Sequence, residues 1–286
     1  MGFPPPFQIR IAGTQITWGE EFHAKKMIKK ISYRFLWLFL PFVLFAYAHW
    51  VEPMWVEITR HSIKADLKKS LRIAHLSDLH IRSMGRREDK ILSILEREKP
   101  DAILVSGDSV EENANYQAVG DFLGKMRAPL GVWLVRGNWE HWRASEEEIE
   151  VYRAAGVRFL NNSAEKLTEN IWVVGVDDEF SGSPDLEKAL RDVPKDAFTI
   201  GLFHSPAFFE QSSRHFKLAL TGHTHGGQVR LPFFPPLWLP EGSGRFLAGW
   251  YGKDDARMYV SRGLGNSILD IRFLCRPELP IIEVGR

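Results

Sequence analysis

The chain has 286 residues, 44% of them hydrophobic and 26% charged, ordinary values for a folded protein and too apolar for intrinsic disorder. Lysine and arginine total 37 against 36 aspartates and glutamates, so there is no general positive field to grip nucleic acid, and no nucleic-acid partner is expected. A single cysteine, Cys275, excludes an internal disulfide and any thiolate-rich metal site; a metal here must be held by His, Asp, Glu or Asn.

Residues 1–34 read as a basic tail, in which Lys25, Lys26, Lys29, Lys30 and Arg34 outweigh Glu20 and Glu21. The stretch Phe35–Val51 then contains no charged residue. As a helix rising about 1.5 Å per residue it reaches roughly 25 Å, the short end of a membrane span. Trp37, Tyr47, Trp50 and Trp55 suit interfacial anchoring, and Pro41 is tolerated in a membrane helix. Residues 35–51 are therefore expected to be a single N-terminal anchor in the cell membrane. The alternatives are a cleaved signal peptide with Ala46-Tyr47-Ala48 as its small-x-small site, a segment lying in one leaflet, or a buried core helix. The basic flank favours the catalytic domain on the extracytoplasmic, periplasmic side; a one-leaflet anchor would leave it cytoplasmic.

Residues 52–70 read as a linker and 71–286 as the folded domain. Leu71–Leu76 is a buried strand, and residues 87–99 an amphipathic helix. Ala102–Ser106 is a second strand, residues 116–126 a second helix and Val132–Val135 a third strand. Ser145 followed by Glu148 resembles a capping box at the next helix start. Further strands are expected at residues 171–176, 199–203, 218–221, 257–260 and 281–284. Strands alternate with helices early and crowd together late, which predicts a layered α/β architecture with mixed sheets flanked by helices. Residues 231–240 (LPFFPPLWLP) break the pattern, too proline-rich for a helix and too apolar for an ordinary surface loop.

The chemistry-bearing residues follow the strands directly. Asp78-Leu79-His80 comes after the first, Gly107-Asp108 after the second and Gly137-Asn138 after the third. His204 closes a later strand, and Gly222-His223-Thr224-His225-Gly226-Gly227 closes another. Loops beyond strand carboxyl ends converge at one edge of an α/β sheet, the usual ligand site. Asp78, His80, Asp108, Asn138, His204, His223 and His225 thereby supply oxygen and nitrogen ligands suited to two divalent cations. Such a mixed set favours Mn2+, Fe or Zn2+ over Ca2+ or Mg2+.

The ordered elements D-L-H, G-D, G-N, H and G-H-T-H resemble those of the calcineurin-like metallophosphoesterase superfamily. The tail segments GHTHGGQVRLP, YVSRGLGNS and IRFLCRPELPIIEV look like its membrane-associated branch, that of YkuE and YaeI. The resemblance spans about residues 70–285. It implies one metal held by Asp78, His80, Asp108 and His225, and a second by Asp108, Asn138, His204 and His223. It also implies in-line attack on phosphorus by metal-activated water. One departure stands out. The family commonly reads G-N-H-[DE], where the histidine contacts phosphate or protonates the leaving group, and this chain has Trp139, whose indole carries no titrating proton. His141, two positions on, is the candidate catalytic replacement; otherwise the leaving group needs no acid, as in a diphosphate bond. The UDP-2,3-diacylglucosamine pyrophosphatases of lipid A synthesis, in the same superfamily, also lack a histidine there.

The expectation is a membrane-associated, two-metal hydrolase of a phosphoester or diphosphate bond, with a membrane lipid or lipid-linked substrate as its partner. The lipid A step is one candidate. The alternatives are a general phosphodiesterase or phosphatase, and a non-catalytic scaffold of the same fold. His75 is expected as a core side chain, and His23, His49, His61 and His215 as surface or interfacial groups outside any motif. Asp177-Asp178 reads as a turn and is left outside the site.

Overall fold

The computed structural model describes residues 39–285 apart from 68, 112–115 and 146. The basic tail, residues 35–38 and His23 lie outside the described residues. The chain divides into two units, Met1–Tyr47 and Ala48–Arg286. In the first, residues 39–46 are α-helical, and Phe39, Phe42, Val43 and Phe45 are exposed. No helix among the described residues is long and apolar enough to cross a membrane.

The second unit is built in four layers. One six-stranded sheet has the order β1 (Glu57–Lys64), β12 (Glu278–Gly285), β2 (Leu71–Leu76), β3 (Ala102–Ser106), β4 (Val132–Val135) and β5 (Arg158–Phe159). The other has β10 (Gly249–Lys253), β11 (Ala256–Val260), β9 (Leu218–Thr221), β8 (Phe198–Leu202), β7 (Ile171–Gly175) and β6 (Ser163–Lys166). Both are mixed: β2, β3, β4 and β5 run parallel while β12 is antiparallel to β2, and β7, β8, β9 and β11 run parallel between antiparallel edges.

Alternation within each strand assigns its two faces. Ile73, Leu104 and Trp133 from the first sheet meet Val173, Ile200 and Leu218 from the second, forming the core between the sheets. Ala74, Ile103 and Val105 point the other way, against α1 (Arg86–Glu98) and α2 (Tyr116–Leu123). Val174, Ala219 and Met258 cover the far side with α5 (Leu186–Leu190) and α6 (Phe209–Ser212). Strands buried on both faces carry continuous apolar runs, which is why AILVS and VWLV are legible as strands.

Three local features differ from the sequence reading. Residues 52–70 are more than a linker: β1 lies there and pairs in parallel with β12 from Glu57↔Glu278 to Lys64↔Gly285. It is an edge strand with no fully buried residue, so EITRHSIK shows little apolar alternation. Between α3 (Asn138–Trp142) and α4 (Glu148–Ala154) the expected capping box does not form. The Glu148 carboxylate is drawn instead into a buried ion pair with Arg136 at 2.7 Å, and Ser145 Oγ accepts from the Glu147 N–H. The helix expected over residues 116–126 stops at Leu123, because the Gly124 N–H still bonds to Gly120 but the chain then tightens into a turn.

Candidate metal centre

Five strands of the two sheets deliver their carboxyl ends to one edge. Asp78 and His80 follow β2, Asp108 follows β3, and Asn138 follows β4 as the first residue of α3. His204 follows β8, and His223 and His225 follow β9. All seven side chains are buried. They fall into two potential metal-holding groups, Asp78–His80–Asp108–His225 and Asp108–His204–His223, which share Asp108. Asn138 joins the second, its Oδ1 lying 3.0 Å from His204 Nε2.

The backbone is strained to achieve this. Asp78, His80, Asp108, His223 and His225 all have φ between 44° and 71°, the left-handed region that costs a side-chain-bearing residue energy. Neighbouring glycines make room for the turns. A Cβ at Gly137 would lie 2.3 Å from Asp108 Oδ1, and one at Gly222 would lie 1.7 Å from Ser77 Oγ. Neither position admits any larger residue without displacing a ligand loop.

Hydrogen bonds on the outer side of the rings set their tautomers. His204 Nδ1–H donates to the Ser106 carbonyl at 2.8 Å, and His223 Nε2–H donates to the Glu241 carbonyl at 2.6 Å. That leaves lone pairs on His204 Nε2 and His223 Nδ1, which face each other at 3.0 Å. Asp108 Oδ2 is a further acceptor, 3.1 Å from the same His204 nitrogen. In the other group Glu111 Oε2 lies 3.0 Å from His80 Nδ1, directing His80 Nε2 toward His225 Nε2 at 3.1 Å. Asp78 Oδ1 stands 3.5 Å from that His225 nitrogen. The His204 and His223 lone pairs and the Asp108 carboxylate converge on one buried point, an arrangement of acceptors that a cation would satisfy. The donor set therefore fits divalent metal.

The electrostatics agree. Burial by itself would raise the Asp108 pKa, but His204, then His80 and His223, hold it below the usual carboxylate range. Burial opposes a charge on His204, yet Asp108 drives its pKa well above the ordinary imidazole value. Without metal a proton is thus drawn to the place where a cation would sit. His225 moves the opposite way, pushed well down by burial, His80 and Arg272.

Several residues that frame the ligands were not singled out from the sequence. The fully buried Glu140 carboxylate accepts the N–H groups of Gly137 at 2.8 Å, Asp108 at 2.9 Å and Ser109 at 2.6 Å, so it fastens the β3 and β4 loops together. Burial, then Asp108 and Glu148, push its pKa up to about 7. The signal was present, as Glu140 is the last letter of G-N-W-E. Glu111 is three residues past Asp108, and nothing local marks its long-range contact with His80. Asp178, read from the sequence as a turn residue outside the site, lies beside it, accepting from Ser205 Oγ at 2.5 Å next to His204.

The Trp139 backbone N–H donates to Asp108 Oδ1 at 2.9 Å, and its ring sits edge-on to His80, with centroids 5.4 Å apart. Exposed Trp142 and Phe180 extend this into an aromatic wall whose far end, Phe180, lies 6.5 Å from the His223 ring. His141 is not among the grouped ligands; its Nε2 bonds to Asp177 Oδ1 at 2.7 Å. His75 is a core side chain, with Nε2 2.9 Å from Ser106 Oγ and a pKa lowered to about 3 by burial. A surface cavity of about 770 Å3 is lined by Leu186, Thr199 and Lys217 at the amino ends of β8 and β9, and it contains none of the candidate ligands.

Residues 71–227, which carry every one of these ligands, match the profile of the family described as calcineurin-like phosphoesterase. The chain belongs to that family. Among its calcineurin-like relatives is the metallophosphoesterase YkuE of Bacillus subtilis, 32% identical over 255 residues that cover 84% of this chain and 89% of that protein. Phosphodiesterase YaeI of Escherichia coli is 30% identical, with 84% and 92% covered. A Danio rerio protein described as a transmembrane protein with metallophosphoesterase domain is 29% identical over 78% of this chain and 55% of its own length.

Proposed function

We propose that this calcineurin-like phosphoesterase is a membrane-associated, two-metal hydrolase that cleaves a phosphodiester or diphosphate bond in a lipid-linked or amphiphilic substrate. The observation that carries the catalytic part is the pair of buried ligand groups sharing Asp108. Asp78, His80, Asp108 and His225 would hold one cation, and Asp108, Asn138, His204 and His223 the other, with Mn2+, Fe or Zn2+ as candidates. Bound there, the cations would polarise the phosphoryl oxygens and lower the pKa of an attacking water. The chain contributes orientation: Glu111, Ser106 and Glu241 aim the imidazoles, and Glu140 holds the Asp108 and Asn138 loops in register.

Trp139 supports the choice of bond. Its buried indole gives the leaving group no proton at the position where the family commonly has histidine, which favours a leaving group already stable as an anion, such as the phosphate of a diphosphate bond or a phenolate, over a simple alkoxide. The alternative is that His141 replaces the missing donor, a role favoured by its hydrogen bond to Asp177, which raises its pKa and keeps it protonated to higher pH. The membrane part is supported by the uncharged stretch 35–51 behind a basic flank, with the domain on the extracytoplasmic side, and by a relative described as transmembrane. UDP-2,3-diacylglucosamine, a nucleotide-linked substrate made on the cytoplasmic face, is a candidate only with the one-leaflet anchor that leaves the domain cytoplasmic; a general diester is the second reading, favoured by the name of YaeI and compatible with either side.

The test is Mn2+-loaded protein assayed against UDP-2,3-diacylglucosamine, bis-p-nitrophenyl phosphate and simple monoesters side by side. Hydrolysis of the first alone supports the lipid A substrate, and hydrolysis of the diester alone supports the general phosphodiesterase. Turnover confined to monoesters would refute the reading from Trp139, and no turnover at all would favour the scaffold.

A further inference from the structure

Apart from Trp142 and Phe180 beside the metal centre, the large apolar side chains that the Ala48–Arg286 unit leaves in solvent are gathered on a few segments. Phe233, Phe234, Leu237 and Trp238 on one loop, and Ile268, Leu269 and Leu274 on another, are each more than half exposed. Hydrogen bonds lace the two loops side by side. Gln228 Nε2 donates to the carbonyls of Ser267 and Leu269, both at 3.0 Å, and the Arg230 N–H donates to the Phe273 carbonyl at 2.8 Å. The second loop is tied in turn to the segment entering this unit. The Arg272 N–H donates to the Ala48 carbonyl at 2.9 Å, and the Glu52 carboxylate accepts the N–H groups of Leu274 and Cys275 at 2.9 and 2.5 Å. That entering segment also carries exposed Trp50, Val51 and Trp55. Three stretches of chain joined by these bonds thus carry exposed apolar side chains, the kind of clustering that marks a contact surface.

We infer that this surface docks the catalytic domain onto a lipid bilayer, with Phe233, Phe234, Leu237, Ile268 and Leu269 among the acyl chains. Two observations select a bilayer as the occupant. The uncharged stretch 35–51, proposed as the membrane anchor, continues in sequence through Ala48 into Trp50 and Val51 of this surface. The composition is also that of an interfacial belt. Residues 231–240 hold no charge, Asp270 is neutralised by Arg82 at 2.7 Å, and the Arg276 guanidinium lies 4.3 Å over the Trp55 ring. Exposed tryptophans with arginine beside them suit the boundary between headgroups and acyl chains.

Docking also gives the metal centre its supply of substrate. A groove lined by Trp50, Arg82, Arg86 and Asn266 borders His80, so the domain held in this way keeps the centre beside the headgroups. This rests on the membrane reading above and deepens it, because it assigns the contact to the catalytic domain as well as to the anchor.

The test uses the full chain reconstituted in vesicles of phosphatidylcholine and phosphatidylglycerol. An environment-sensitive bimane is attached singly at Phe234→Cys, Leu269→Cys or, away from the surface, Lys195→Cys; wild type, whose Cys275 is buried, is the labelling control. Docking is expected to give a blue-shifted emission at Phe234→Cys and Leu269→Cys, with several-fold stronger quenching by doxyl-labelled lipid than at Lys195→Cys. Vesicle-bound protein with equal, weak quenching at all three sites would overturn docking and leave the anchor standing. Protein that fails to associate with the vesicles would overturn both. A dimer that shields the two loops from lipid would show that a second copy covers the surface, and would also overturn the inference. Hydrolysis of bis-p-nitrophenyl phosphate by the same samples reports the metal centre separately.

Discussion

Removing the Glu140 carboxylate should cost both stability and metal. In Glu140→Ala three buried N–H groups, those of Gly137, Asp108 and Ser109, lose their shared acceptor. Each unsatisfied donor costs on the order of 1–3 kcal/mol, and water entering the vacated space recovers part of it. A net loss of about 3–5 kcal/mol follows, a large share of the roughly 5–15 kcal/mol that holds a typical domain folded. The same bonds hold Asp108 at φ 53°, so the strained turn should relax and the shared ligand should swing out of register. Urea unfolding of metal-free protein measures the first effect, and calorimetric titration with Mn2+ measures the second. Glu140→Gln, which keeps one acceptor oxygen, should fall between wild type and alanine in both. A loss below about 1 kcal/mol with unchanged Mn2+ affinity would refute the idea that this carboxylate clamps the β3 and β4 loops.

Three further outcomes are expected. His225→Ala and His204→Ala should each weaken a different cation; loss of the same one in both would show that the partition of ligands is wrong. The His141–Asp177 pair should stabilise the fold within a pH window. Hydrogen bonding to Asp177 raises the His141 pKa above 6.5, so its contribution is complete below that value and is lost as pH rises through the folded pKa. Burial opposes ionisation of Asp177, but His141 and the Ser183 N–H win and lower its pKa below 3.8, so its share is lost only as pH falls through that lower value. His141→Gln should therefore destabilise most between about pH 4 and 6.5, and a penalty that grows above pH 8 would contradict the sign. Finally, Gly222→Ala should fold poorly or lose metal, because its Cβ would collide with Ser77 and Asp78; wild-type metal content in a soluble variant would refute that packing.

The candidate ligands that the structure brings together could be picked out because each sits just after a strand whose apolar run is itself legible. Parallel strands buried on both faces leave an unbroken β-branched signal, and a polar residue that interrupts it must lie at the sheet edge. Asp108 after AILVS and His223 after LALT are of this kind. The side chains that orient those ligands were less visible, since Glu111 reaches His80 only through the pairing of neighbouring strand ends. Strands β1, β5, β6 and β10 were missed for a different reason. They are short or lie toward sheet edges, with polar or glycine-containing sequences such as SAEK and GWYGK. The capping box failed because a local pattern lost its glutamate to Arg136, a partner that only the tertiary structure supplies. Residues 231–240 stood out in the sequence as irregular and apolar, and the structure shows where that leads: the prolines prevent regular structure that could bury the aromatic side chains, and Phe233, Phe234, Leu237 and Trp238 remain exposed.

The most direct test of a shared-carboxylate, two-metal centre is the metal stoichiometry of purified protein saturated with Mn2+, measured with bis-p-nitrophenyl phosphate turnover in wild type and Asp108→Ala. Two equivalents per chain in wild type, with loss of both cations and of turnover in Asp108→Ala, is the expected result. Retention of full metal content and near wild-type turnover without the Asp108 carboxylate would contradict it.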